Sequence, residues 1–155
     1  MHLAFLKEVF PEYAVELYAE GDSEWAYIKN EKYDDVIKVY YDPEDFDVYC
    51  LCFATQHAHI SDKEELIEYA LSFANAEKAA IEFYENGKNR FGGDIETTLL
   101  NDLTYDSLRK RFYYPSGAFS KLTFQVRAWD KKYCFDGAFV KKPFGSVQII
   151  KTYVL

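Results

Sequence analysis

The sequence is poor in residues that crosslink or interrupt a chain. Its 155 residues include 3 Cys, 4 Pro and 7 Gly, and no stretch rich in Gly, Ser or Pro divides it. An odd number of cysteines argues against a disulfide framework, and Cys50 and Cys52 are too close along an extended chain to bond comfortably. We therefore expect reduced thiols and a single domain over residues 1–155, large enough to fold without crosslinks.

The sequence also lacks long apolar runs and familiar catalytic motifs. No run approaches the roughly 18 to 20 apolar residues of a membrane helix. The opening MHLAFLKEVFPEY is broken by Lys7 and Glu8 and is not expected to be a signal peptide. The chain contains no G-x-x-x-x-G-K-[ST], G-x-G-x-x-G, G-x-S-x-G or H-E-x-x-H pattern. These absences favour a cytoplasmic protein that does not bind membranes and needs no cofactor.

Charged residues are plentiful but unevenly distributed. Residues 1–50 contain 13 Asp and Glu against 4 Lys and Arg, residues 51–102 contain 10 against 4, and residues 103–155 contain 3 against 10. A phosphate-binding face must be basic, so free nucleic acid is not an expected partner. A basic protein is expected instead, because opposite fields accelerate encounter and set orientation. The alternative is that the basic C-terminal strands lie beside the acidic N-terminal strands and neutralise them.

The apolar pattern predicts an α+β fold, with a mostly antiparallel sheet of about seven strands packed by one long and one short helix. Ser61 and Glu64 match the capping box that begins a helix. Apolar residues at spacings of three and four then extend this long helix to Phe83, with a stop at residues 86–87. Residues 88–94, KNRFGGD, are expected to form a loop.

The last third of the chain gives the clearest strand pattern. The segments KLTFQVRAWD, YCFDGAFV and SVQIIKTYV are joined by short polar turns, which predicts an antiparallel meander. A short helix is expected to begin after Thr104 and to precede this meander.

The segment CLCFATQHAHI, residues 50–60, is the main candidate for chemistry. If residues 46–59 form one unbroken strand, Cys50 and Cys52 face one side and His57 and His59 face the other. This geometry excludes a four-ligand zinc site unless a bulge changes the alternation. His57 and His59 remain candidate ligands of a divalent metal, with a carboxylate as third ligand. The alternatives are hydrogen-bonded histidines at a strand end, or a histidine acting as a general base near the following helix.

Other candidate binding residues are scattered along the chain. An acidic turn offers carboxylates to a basic partner, and these are Asp42, Glu44, Asp45 and Asp47. Arg90 precedes two glycines and is a candidate for holding an anion, with a simple turn as the alternative. Trp129 falls on the same strand face as Arg127, and an outward Trp indicates a surface covered by a helix or a partner.

Together these features favour an acidic, cytoplasmic protein-binding module acting on a basic partner. Its composition is similar to that of small bacterial immunity or antitoxin-like proteins, a likeness of general profile that assigns no residues. The alternative function is a small-ligand or metal-dependent enzyme centred on His57 and His59. A homo-oligomer is compatible with either function.

Overall fold

The computed structural model describes residues 1–44, 49–115 and 118–154. The chain forms two compact units, Met1–Asn75 and Ala76–Leu155, and each unit contains one five-stranded antiparallel sheet. The predicted α+β class and antiparallel pairing are therefore confirmed. The predicted single sheet of about seven strands was wrong, since the described residues contain ten strands in two separate sheets. That the chain is a single domain stays a prediction.

The first unit is a short helix, a meander of five strands and a longer helix. Its elements are α1 (Leu6–Val9), β1 (Ala14–Glu20), β2 (Ser23–Asn30), β3 (Asp35–Tyr41), β4 (Tyr49–Phe53), β5 (Gln56–Ile60) and α2 (Lys63–Ala74). The strand order is β1-β2-β3-β4-β5, so every strand pairs with its neighbour in sequence.

Alternation, which is strict in β2 and β4, gives this sheet one buried face and one open face. In β2, Ala26 and Ile28 are completely buried, whereas Trp25 and Tyr27 point to the opposite side and are half-exposed. The helix α2 packs on the buried face, where the rings of Phe53 and Phe73 lie 5.0 Å apart. The open face therefore presents the side chains that alternate with the core residues.

The N-cap of the long helix is one residue later than predicted, and the helix ends well before the predicted end at Phe83. Its N-cap is Asp62, whose carboxylate accepts a hydrogen bond of 3.0 Å from the Glu65 N–H, so the capping box assigned to Ser61 and Glu64 was wrong. The helix ends at Ala74 because residue 76 adopts a positive φ of 55°, which breaks the helical path.

The second unit contains the other sheet and one short helix. Its elements are β6 (Lys78–Glu85), β7 (Lys88–Glu96), α3 (Tyr105–Arg111), β8 (Thr123–Arg127), β9 (Phe135–Lys141) and β10 (Val147–Tyr153), with short 3-10 helices at Thr97–Asp102, Phe119–Lys121 and Lys131–Tyr133. The strand order is β10-β9-β8-β6-β7, so the predicted C-terminal meander is confirmed. The short helix after Thr104 is also confirmed.

Two segments of this unit were assigned wrongly from sequence. The end of the predicted long helix is β6, in which every residue from Ala79 to Phe83 is buried. The predicted loop at residues 88–94 lies within β7, paired with β6. A strand buried on both faces loses its alternation, and its apolar residues can then match a helical spacing by coincidence.

Aromatic rings fill the core of the second unit. Phe83 packs within 5.7 Å, centroid to centroid, of the rings of Phe91, Phe119 and Phe124. The ring of Phe124 also lies directly over Gly137 of β9, where a Cβ atom would collide with it. A glycine inside this strand is therefore required by packing.

The two units carry charge of opposite sign. Met1–Asn75 has 17 Asp and Glu against 5 Lys and Arg, a net charge of −12, whereas Ala76–Leu155 has 9 against 13, a net charge of +4. Among the described residues, the basic C-terminal strands and the acidic N-terminal strands belong to separate sheets. Strand pairing therefore does not neutralise the acidic segment.

Candidate functional site

The segment predicted to be one strand is a tight β-hairpin. The strands β4 and β5 pair in antiparallel fashion, and only Ala54 and Thr55 connect the last opposed residues, Phe53 and Gln56. Ala54 adopts a positive φ of 53°, as a two-residue hairpin turn requires. The prediction of an unbroken strand over residues 46–59 was therefore wrong for the described part of that range.

The hairpin reverses the relation between the cysteines and histidines. Cys50 lies opposite His59, and Cys52 lies opposite His57. Directly opposed residues of an antiparallel pair extend to the same side of the sheet. All four side chains therefore share the open face, and the predicted placement on opposite faces was wrong.

The four side chains are close but not arranged as a complete ligand set. The Sγ atoms of Cys50 and Cys52 are 3.9 Å apart. The ring centroids of His57 and His59 are 5.4 Å apart, with the rings nearly perpendicular at 79°. Both cysteines are half-buried and both histidines are exposed. In residues 1–44, 49–115 and 118–154, no group of three or more His, Cys, Asp or Glu side chains is placed so that it could hold a metal ion.

The open face continues across the sheet as a band of aromatic side chains. In the register, Cys50 lies opposite Tyr40, Tyr40 opposite Trp25, and Trp25 opposite Tyr18. The next row runs from Cys52 through Lys38 to Tyr27. We call the four half-exposed or exposed rings on this side the aromatic face, and they are Tyr18, Trp25, Tyr27 and Tyr40.

Ring contacts and ion pairs hold the aromatic face in place. The ring of Tyr18 stacks on Trp25 with centroids 5.9 Å apart and lies 5.4 Å from that of Tyr27. The Tyr18 hydroxyl donates a hydrogen bond of 2.6 Å to Glu16, which also accepts one of 2.7 Å from Lys29. These contacts restrict the rings of Tyr18, Trp25 and Tyr27, and such restriction lowers the entropic cost of binding a ligand.

Two tyrosine hydroxyls of the aromatic face have raised pKa values. The hydrogen bond to Glu16, aided by burial, raises the pKa of Tyr18. Burial, with contributions from Tyr27 and the two cysteines, raises the pKa of Tyr40. Both hydroxyls are protonated at neutral pH, and the Tyr18 hydroxyl already donates its proton to Glu16.

Acidic residues lie at both ends of the sheet. Successive turns of a meander alternate between the two ends, so the β1–β2 and β3–β4 connections share one end. Glu20, Asp22, Asp42 and Glu44 are exposed at this end, and Glu31 is exposed in the β2–β3 turn at the other. The acidic segment predicted to bind a partner thus begins beside the aromatic face, although Asp45 and Asp47 lie outside the described residues.

The two remaining predicted binding residues lie in the second unit. Arg90 is exposed on β7, where its guanidinium lies 3.5 Å from the carboxylate of Glu85. Trp129 follows β8 and is 3% exposed, so it does not present a surface. The structure therefore brings neither residue to the open face of the first sheet.

Sequence reasoning missed the aromatic face as a site. The signal was present in the alternating runs SEWAYIKN and VIKVYY, in which Trp25, Tyr27 and Tyr40 each lie next to buried aliphatic or alanine residues and therefore face the opposite side of the sheet. Recognising the site requires the register that places these residues side by side.

Comparison with known proteins adds no assignment. A scan against protein-family models, a search of curated proteins and a search of solved structures each found no match. Within residues 1–44, 49–115 and 118–154, no helix is long and apolar enough to span a membrane.

Proposed function

We propose that this protein is a binding module that uses the aromatic face of its first unit to bind a basic protein. The observation that carries the proposal is the row of Tyr18, Trp25 and Tyr40 on the open side of the first sheet. Tyr and Trp dominate the energetic centres of protein interfaces, because their rings bury a large area at a small cost in conformational entropy.

The charge of the first unit supports a basic partner. Its net charge is −12, with 17 acidic residues against 5 basic ones. Exposed carboxylates such as Asp22, Asp42 and Glu44 flank the aromatic face. This arrangement, an aromatic centre with a charged rim, combines affinity at the centre with steering at the edge. An immunity- or antitoxin-like role is one form of this proposal, in which the basic partner is a toxic protein.

The alternative of an enzyme centred on His57 and His59 has less support. Both histidines are exposed on the open face. A pocket of about 360 Å³ in the same unit is lined by β2, β3 and their connecting turn, including Tyr27 and Lys38, and neither histidine lines it. An enzyme site ordinarily converges on a concave pocket.

Substitution of Trp25 tests the proposal. The purified chain, its Trp25→Ala variant and a Tyr113→Ala control are immobilised and exposed to the same cell lysate. Tyr113 is 89% exposed and belongs to the second unit, so it is matched in chemistry but lies outside the aromatic face. We expect a basic protein that the unsubstituted chain and the control retain and that Trp25→Ala loses.

Binding measured with purified proteins then shows whether the basic protein was retained specifically by the aromatic face. The basic protein identified in this way is titrated against each variant by calorimetry, where Trp25→Ala is expected to weaken binding about 30-fold, the effect of a typical interface hot spot. Substituting Asp42→Asn and Glu44→Gln together is expected to slow association and reduce its salt dependence. Equal affinity of Trp25→Ala and Tyr113→Ala would contradict the proposal. A dimer that Trp25→Ala dissociates would instead make the aromatic face a homo-oligomer interface.

A further inference from the structure

We propose that Cys50, Cys52, His57 and His59 bind one zinc ion on the open face of the β4–β5 hairpin. This site is separate from protein binding by the aromatic face, and neither requires the other. The pairing register carries the inference, because it places two thiols and two imidazoles on one side of two adjacent strands.

The spacing within each pair already suits one tetrahedral metal ion. Two thiolates bound to zinc at about 2.3 Å lie roughly 3.8 Å apart at the tetrahedral angle. The Sγ atoms of Cys50 and Cys52 are 3.9 Å apart. Two imidazoles bound at about 2.0–2.1 Å have ring centroids roughly 5 Å apart. The centroids of His57 and His59 are 5.4 Å apart.

The backbone brings the two pairs within reach of each other. Opposed residues of an antiparallel pair have Cβ atoms about 4.5–5.5 Å apart, which is within the span of a thiolate and an imidazole sharing a metal. The four side chains as placed do not surround one point, so binding requires rotation of side chains toward a common position. Because the histidines are exposed and the cysteines half-exposed, these rotations are not opposed by core packing.

The chemistry of the four ligands selects zinc. Two thiolates and two imidazoles in tetrahedral geometry form a common structural zinc set, and four protein ligands leave no open position for catalysis. Binding displaces one proton from each thiol, and the two thiolate charges balance the charge of the ion. A bound metal ion would link β4 to β5. This link would stabilise the hairpin, whose turn has an unfavourable positive φ at Ala54.

The chain contains its own matched controls. It has three cysteines and three histidines, so one of each lies outside the proposed site. Cys134 is buried in the second unit, where its Sγ accepts a hydrogen bond of 3.3 Å from the Ala128 N–H. His2 lies beside Glu24, 3.1 Å from its carboxylate. The variants Cys134→Ser and His2→Gln therefore remove one thiol and one imidazole that lie outside the proposed site.

Cobalt and zinc titrations of the untagged, reduced and metal-stripped protein test the site. We expect one Co²⁺ per chain, with a thiolate-to-cobalt charge-transfer band and the visible bands of tetrahedral coordination, both abolished when Zn²⁺ displaces Co²⁺. The double variants Cys50→Ser/Cys52→Ser and His57→Ala/His59→Ala should each weaken binding by on the order of 100-fold or more, whereas Cys134→Ser and His2→Gln should bind as the unsubstituted chain does.

The opposite results would overturn the inference. These are the absence of stoichiometric binding, a cobalt spectrum without the thiolate band, or binding that survives both double variants. Circular dichroism of every metal-stripped variant shows whether it is folded. Since none of the four side chains of the proposed site is buried in the core, we expect the two double variants to retain the spectrum of the unsubstituted chain.

Discussion

Glu24 is the clearest case of a single residue whose environment sets its charge. It is 8% exposed on β2, and its carboxylate accepts hydrogen bonds of 2.9 and 3.1 Å from the backbone N–H groups of His2 and Leu3. Burial alone would raise the pKa of Glu24, but these hydrogen bonds and the His2 ring together lower it below the ordinary value of 4.5. The carboxylate thus ties the N-terminal segment to the sheet.

Replacing Glu24 by Gln is expected to cost about 1–3 kcal/mol of stability at neutral pH, because hydrogen bonds to a charged acceptor are lost. A carboxyl group whose pKa is lower in the folded state stabilises the fold above its unfolded pKa, and this contribution disappears as the pH falls through the folded pKa. The difference between Glu24→Gln and the unsubstituted protein should therefore shrink in acid.

Urea denaturation between neutral pH and strong acid measures this difference. Glu12→Gln, at an exposed position, is the control and should change stability little at any pH. A cost of Glu24→Gln that stays constant down to the most acidic pH would contradict the prediction.

At the start of α2, the sequence predicts the helix correctly but assigns its N-cap to the wrong residue. Ser61, Asp62 and Glu64 all favour a helix start in this region, and the helix is present. The choice between Ser61 and Asp62 depends on backbone dihedrals, and Asp62 has the extended φ and ψ of −108° and 132° that an N-cap needs. Local composition alone does not distinguish two adjacent capping residues.

The variants Asp62→Ala and Ser61→Ala separate these two residues. Asp62→Ala should lower the free energy of unfolding by about 1 kcal/mol, because the Glu65 N–H loses its acceptor and the helix start loses a negative charge. Ser61→Ala should leave it nearly unchanged. Urea denaturation of both variants checks this prediction, and an equal or greater effect of Ser61→Ala would restore the cap predicted from sequence.

The β4–β5 hairpin shows why an element can be missed altogether. Its two-residue turn is formed by Ala54 and Thr55, whereas the sequences that normally indicate such turns are Asn-Gly or Asp-Gly. Alanine at a positive φ of 53° carries no local signal and is unfavourable by itself. Pairing of the whole strand, including Leu51 with Ala58, imposes the turn.

For the whole molecule, the two Trp residues provide one reporter in each unit. Trp25 belongs to Met1–Asn75 and Trp129 to Ala76–Leu155. The variants Trp129→Phe and Trp25→Phe therefore leave a fluorescence signal from the first or the second unit alone. If the chain is a single cooperative domain, each signal should follow the unfolding of the entire chain.

In each variant, the urea midpoint from fluorescence is compared with the midpoint from far-ultraviolet circular dichroism, which both units contribute to. We expect the two midpoints to coincide in both variants, as two-state unfolding requires. The comparison is made within one variant, so a stability change caused by the substitution cancels. Separate midpoints would show that the units unfold independently and would contradict the prediction of one domain.

The sequence by itself determined the properties that depend on neighbouring residues. The alternation in β2 and in the C-terminal strands, the capped helix after Thr104 and the acidic character of the first half all follow from local side-chain spacing and composition. The α+β class follows from the order of these patterns.

Only the tertiary structure decided which side chains meet. The aromatic face depends on the register of three strands, and the grouping of Cys50 and Cys52 with His57 and His59 depends on one two-residue turn. A strand's side chains alternate with a period of two, so the placement of a single turn decides which residues share a face. That placement is fixed by cross-strand packing and burial over the entire sheet, which no short stretch of sequence contains.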